Sequence, residues 1–230
     1  MKRIICSLLL ISLLSLSGKL ISQNSAKTLD QVYGLDQTLL NGKKYDYYPP
    51  YGYKGNQYLF SREYKIGSVT LKGEAYQDVL LNYDIYNQQL LLKYEDEKGA
   101  RHILEVSRAW LTDFSIGDKN FEFLDLQQEP RFYQVLGEGP VRILYYWRKG
   151  LDLDIMVGSY VYVFSKAVRE SFVLKEGQLK SFRSKQSLIR LFEPEHKQKI
   201  KSYLRKHKVK VKRAPDKVMA EMITFIGNIK

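Results

Sequence analysis

The chain has 230 residues, a net charge of +12, 44% hydrophobic and 13% aromatic residues, and one cysteine. That apolar share excludes a disordered chain and suits one domain of ordinary size with an appendage. A single cysteine excludes an intrachain disulfide framework.

Met1-Lys2-Arg3 followed by IICSLLLISLLSLSG reads as a signal peptide over residues 1–22. The apolar run falls short of the ~20 residues that a membrane-spanning helix needs. Small and polar residues follow in GKLISQNSAK, so cleavage is expected just before Gln23 or Asn24, with a retained anchor as the alternative. Cys6 stands near the start of the run, whereas a lipoprotein cysteine would close it. Export would then leave a mature chain of about 207 residues without a thiolate nucleophile. No later stretch is long and apolar enough to cross a bilayer as a helix.

Residues 23–56 form a Tyr/Pro-rich segment ahead of the body. Within YDYYPPYGYKGNQYLF, residues 45–60, lie six of the eighteen tyrosines. Pro49-Pro50 makes the 47–53 stretch extended and stiff. Two readings follow. The segment is a strap laid along a β-edge, or Tyr47, Tyr48, Tyr51 and Tyr53 form a ligand-binding platform, since a tyrosine ring is apolar and its hydroxyl polar.

Residues 57–180 read as an antiparallel β body. GSVTLKG, AYQDVLLNYDIY, QQLLLKYEDEKGARHILEVS, WLTDFSIGDKNFEFLDL, RFYQVLGEGPVRILYYWRKG, YVYVFSK and ESFVLKEG give roughly nine or ten short strands. Turns are expected at 86–88, 97–99, 117–120 and 137–140. Short connections favour a meander, folded as a sandwich or half-open barrel. Apolar residues on both faces of some strands, as in Val141, Ile143 and Tyr145 against Leu144 and Tyr146, require a second covering layer.

Residues 181–230 read as a basic C-terminal cap of two or three helices. SKQSLIRLF can be helical. Pro194 suits a first turn, and Ile200, Tyr203, Leu204 and His207 make a helical stripe. DKVMAEMITFIGNI places Val218, Met222 and Phe225 or Ile226 on one face, with Gly227 as the stop. From Lys175 to Lys230 there are sixteen Lys/Arg against five Asp/Glu, while residues 1–174 carry 21 against 20. The basic character therefore belongs to the last quarter, with Lys206, Lys208, Lys210, Lys212 and Arg213 at its centre. Export and the absence of an aromatic stacking motif argue against nucleic acid, leaving an acidic protein, an anionic membrane or a polysaccharide as partner, or plain solvation.

Catalytic arrangements are scarce. His102, His196 and His207 lack the spacing of paired zinc ligands. No glycine-flanked nucleophile turn surrounds Ser68, Ser107 or Ser159, and Gly137-Glu138-Gly139-Pro140 is no phosphate loop. Asp84, Glu105, Asp113 and Glu122 are the carboxylates beside strands, and surface solvation accounts for each. No cofactor is implied.

LNGKKYDYYPP, GSVTLKGEAYQDVLLNYDIYNQQLLL, GPVRILYYWRKG and KSFRSKQSLIRLF together resemble a group of exported Bacteroidota proteins to which no activity is assigned. The resemblance implies a Gram-negative envelope setting and supplies no catalytic residue. The reading is a non-enzymatic envelope protein, periplasmic or associated with the outer membrane, acting through binding or assembly with envelope partners. The alternatives are a glycan- or lipid-binding module and a carboxylate-dependent hydrolase.

Overall fold

Thirteen strands and three helices make up the described part of the chain, which in this computed structural model is residues 38–96, 98–126, 129–156 and 159–228. The expected signal peptide and the start of the strap lie outside these residues. The strands are β1 (Lys43–Lys44), β2 (Lys65–Leu71), β3 (Glu74–Asp84), β4 (Gln89–Glu95), β5 (Arg101–Glu105), β6 (Leu111–Ile116) and β7 (Lys119–Leu126). They continue as β8 (Glu129–Leu136), β9 (Val141–Arg148), β10 (Leu151–Met156), β11 (Ser159–Phe164), β12 (Val168–Lys175) and β13 (Gln178–Phe182). The helices are α1 (Lys185–Arg190), α2 (Pro194–Lys206) and α3 (Asp216–Gly227).

The fold is mainly antiparallel β with a helical C-terminus, as the sequence predicts. Eleven strands form one open sheet in the order β1-β5-β4-β3-β2-β6-β7-β8-β9-β12-β13, and it does not close into a barrel. The meander is broken at β1, which lies beside β5, and again at β6. β6 returns past β5, β4 and β3 to pair with β2, so β2 sits between β3 and β6. The chain also leaves the sheet after β9 to build β10 and β11 as a separate two-stranded ribbon. The strand LDLDIM of β10 is absent from the sequence reading, because aspartate at alternate positions depresses β-propensity. β13 likewise extends the strands to Phe182, two residues into the segment read as helical.

Sheet curvature is set by bulges. Gly67 pairs with Val79 but Val69 pairs with Tyr76, so Gln77 and Asp78 together oppose Ser68, and Asp78 takes φ +56°. This bulge brings Tyr76 onto the face carried by Val79, Leu81 and Tyr83, which strict alternation would deny it. All four are buried in one core. The sheet rolls far enough for Tyr83 on β3 to meet Phe114, Phe121 and Phe132 on β6, β7 and β8, with ring centroids 5.5, 5.5 and 5.6 Å away.

The same face continues over β8, β9 and β12, where the helices cover it. Val141, Ile143, Tyr145 and Val173 pack there with Leu188, Ile200, Leu204, Met219, Met222, Ile223 and Ile226. The buried stripe of α3 is Met219, Met222, Ile223 and Ile226, so Met222 and Ile226 of the predicted face are buried, Val218 packs against the same core, and Phe225 lies partly exposed beside Tyr203. Ser184 caps α1 by a reciprocal exchange with Ser187. Pro194 occupies the first turn of α2.

The two cores meet at a polar junction. Gln134 is fully buried, accepts from Trp147 Nε1 at 2.8 Å and donates to Asp216 Oδ2 at 2.7 Å. Lys119 also donates to Asp216, and Arg169 pairs with it at 3.4 Å while lying 4.0 Å over the Tyr145 ring. Burial alone would raise the Asp216 carboxyl. Its hydrogen bonds from Lys119 and Gln134, with the Lys119 and Arg169 charges, outweigh that and hold it below its ordinary value.

Candidate binding surface

The described part of the strap is fastened on both sides of its Pro-Pro pair. Lys43–Lys44 pairs with β5, and Tyr58 bridges to Asp84 at the end of β3. Asp84 is wholly buried, not solvated at the surface as the sequence reading has it. Its Oδ1 accepts from the Tyr86 and Asn87 amides at 2.9 and 2.8 Å. Its Oδ2 accepts from Tyr45 Oη at 2.7 Å and Asn87 Nδ2 at 2.8 Å. One carboxylate therefore closes the β3–β4 turn and fastens the strap. Burial and this hydrogen bond push the Tyr45 hydroxyl well above its ordinary range. On the other side of the strap, Lys149 donates to Tyr58 O at 2.6 Å and to Asn56 O at 2.9 Å. Partial burial lowers the Lys149 ammonium.

The four predicted tyrosines divide. Tyr47 lies 5.8 Å from the Tyr86 ring, and burial pushes its hydroxyl up to about 12. Tyr53 meets Phe164 edge-on at 5.7 Å, and Phe164 meets Tyr86 at 5.4 Å. These two rings hold the strap against the body. Tyr48 is 80% exposed and Tyr51 fully exposed. The Pro-Pro stiffening keeps Tyr47 and Tyr53 inward while the rings between them point out.

The strap also joins the ribbon. The Lys54 amide donates to Tyr162 O at 2.8 Å, and the Phe164 amide donates to Lys54 O at 3.0 Å, so Lys54 acts as a one-residue third strand beside β11. In the β10–β11 ladder Leu151 faces Phe164, Leu153 faces Tyr162 and Ile155 faces Tyr160. These six side chains form one continuous apolar face. It starts at the buried Phe164 and ends in solvent, where Leu153 is 48%, Ile155 78% and Tyr160 69% exposed. The other face carries Asp152 and Asp154, both exposed, opposite Val163 and Val161. The sequence reading missed Leu153, Ile155 and Tyr160 as surface residues. The signal that could have found them is the period-two alternation in LDLDI.

The predicted basic residues lie elsewhere. Lys206 ends α2, and Lys208, Lys210, Lys212 and Arg213 are exposed on the loop before α3. KVKVK is no strand here. Val209, Val211 and Ala214 are buried in the helical core, which turns the intervening lysines outward. Beside this loop runs a groove of about 630 Å³ lined by Lys199, Arg205, Lys206 and a stack of three rings. Tyr203 is the middle ring, 4.2 Å from His207 and 4.4 Å from Phe225.

The remaining candidate side chains have partners within the chain. Glu122 pairs with Arg142 at 2.9 Å, Asp113 accepts from Thr70 at 2.9 Å, and Glu105 accepts from Gln89 at 2.8 Å. His102 contacts Asp96 at 2.8 Å and stacks on Tyr94. No family model, curated protein or solved structure matches the chain.

Proposed function

We propose that this protein is a non-enzymatic binding component of the bacterial cell envelope that assembles with a protein partner through the strap and the β10–β11 ribbon. The observation that carries this reading is the ribbon. Two strands alone are marginal in water, yet these stand outside the main sheet with Leu153, Ile155 and Tyr160 exposed. Contiguous exposed apolar side chains of that kind mark interaction surfaces. Tyr48 and Tyr51 add exposed aromatic rings on the segment that pairs with the ribbon.

The test is crosslinked capture from envelope fractions with the tagged chain. Ile155→Asp and Tyr51→Ala should each remove the captured partner while leaving the thermal midpoint in place, because both side chains are exposed. Capture unchanged by both substitutions rejects the surface.

A second reading rests on the groove beside α2, where a ring stack is flanked by Lys199, Arg205 and Lys206. It supports contact with an anionic membrane or polysaccharide. Salt-independent behaviour on anionic vesicles and on an acidic polysaccharide would reject it.

A further inference from the structure

We propose that the outer edge of β10 accepts an extended segment of a partner protein in which apolar residues alternate with lysine or arginine. The inference rests on the ribbon being a partner surface and specifies the chemistry of what it binds.

β10 has β11 as its only ladder neighbour among the described residues, whereas β11 is flanked by β10 on one side and by Lys54 on the other. The outer backbone groups of Leu151–Met156 are thus a template for strand addition. The side chains on this edge set what can be added. Leu153 and Ile155 project on one face, Asp152 and Asp154 on the other, all four exposed. An added strand that continues the apolar face must place its alternate residues beside Asp152 and Asp154. Directly opposed unlike charges stabilise such a pair, and like charges destabilise it.

A second copy of this chain is a poor occupant. In antiparallel self-pairing centred on Leu153, Asp152 opposes Asp154. Centred on Asp154, each Asp154 opposes its own copy. Parallel in-register pairing sets each aspartate beside itself. Every register that pairs four or more β10 residues with apolar opposite apolar therefore brings carboxylates together, and the registers shifted by one set leucine against aspartate. The edge excludes itself and favours a basic strand. The same two carboxylates oppose insertion of the ribbon into an anionic bilayer.

The experiment measures binding of labelled octapeptides to the full mature chain by fluorescence anisotropy. One peptide alternates valine with lysine, one alternates valine with glutamate, and one has the first composition in two blocks. The alternating basic peptide should bind, weaken as salt rises, and protect β10 amides from hydrogen exchange, and the other two should bind roughly tenfold more weakly or not at all. In the double variant Asp152→Lys/Asp154→Lys, whose positions are exposed, the preference should reverse towards the glutamate peptide. No charge preference, or preference unchanged by the double variant, overturns the proposal. So does dimerisation of the chain through β10, or binding of the ribbon to vesicles in place of peptides. A photo-crosslinker at position 155 separates this failure from that of the wider reading. Partner capture there that survives the double variant unchanged leaves a binding ribbon without a basic-strand ligand, whereas no capture at all rejects the ribbon as a partner surface.

Discussion

Replacing Asp84 by alanine removes the shared acceptor of the strap and the β3–β4 turn. Four donors lose their partner at once: Tyr45 Oη, the Tyr86 and Asn87 amides, and Asn87 Nδ2. Hydrogen bonds to a charged group contribute about 1.5–3 kcal/mol each, but the bonds are not additive and water will enter the vacated site. We therefore expect a loss of about 3–5 kcal/mol, the range for breaking one partner of a buried charged network. Tyr45→Phe removes one donor and should cost about 1–2 kcal/mol. Asp84→Asn should fall between them, since its Oδ1 still accepts the two backbone amides while its Nδ2 confronts Asn87 Nδ2. In urea, with a slope of about 2 kcal/mol per molar, alanine should lower the midpoint by about 2 M and Tyr45→Phe by about 0.5–1 M. The double variant should resemble Asp84→Ala alone, leaving a coupling of about 1 kcal/mol or more between the two residues. Additive losses, or an Asp84→Ala midpoint within about 0.3 M of wild type, would refute the view that this carboxylate fastens the strap.

Two further outcomes concern how the helices are held. Gly137 has φ +82°, and an added Cβ would lie 2.2 Å from Ile223 Cγ2 on α3, whereas Gly139 at φ +94° has no such neighbour within 4 Å. Gly137→Ala should cost about 2–4 kcal/mol and lower the thermal midpoint by roughly 6–12 °C, against about 1 kcal/mol for Gly139→Ala, and equal shifts would show that α3 does not press on this turn. The Asp216 carboxyl is held below its unfolded value of about 3.9, so the stability it contributes is complete above that pH and is lost as pH falls through the lower folded value. Asp216→Asn should lower stability at pH 7 by about 1.5–3 kcal/mol and flatten the acid limb of a titration followed by tryptophan fluorescence. An acid limb identical to that of the wild type would mean that the junction carries no such linkage.

Much of the architecture is legible locally. β-branched and aromatic runs with turn residues give the strands, and Pro194 marks a helix start at the position found. The strap is legible as a stiff segment from its prolines, but which of its tyrosines pack is not. Tyr47 and Tyr53 are held inward by Tyr86 and Phe164, residues distant in sequence. Asp84 looked like any strand-end aspartate, and only the arrival of Tyr45, thirty-nine residues earlier, explains its burial.

By itself, then, the sequence determined the β-rich class, the helical C-terminus and the concentration of positive charge there, because periodicity, capping and composition act within a few residues. The tertiary structure decided what depends on non-local pairing. It placed β6 beside β2 and used a bulge at Gln77–Asp78 to turn Tyr76 inward. It also left β10 with an open edge, where two aspartates guard exposed leucine and isoleucine side chains. No local pattern specifies which strands become neighbours, since that follows from how the whole sheet buries its aromatic face.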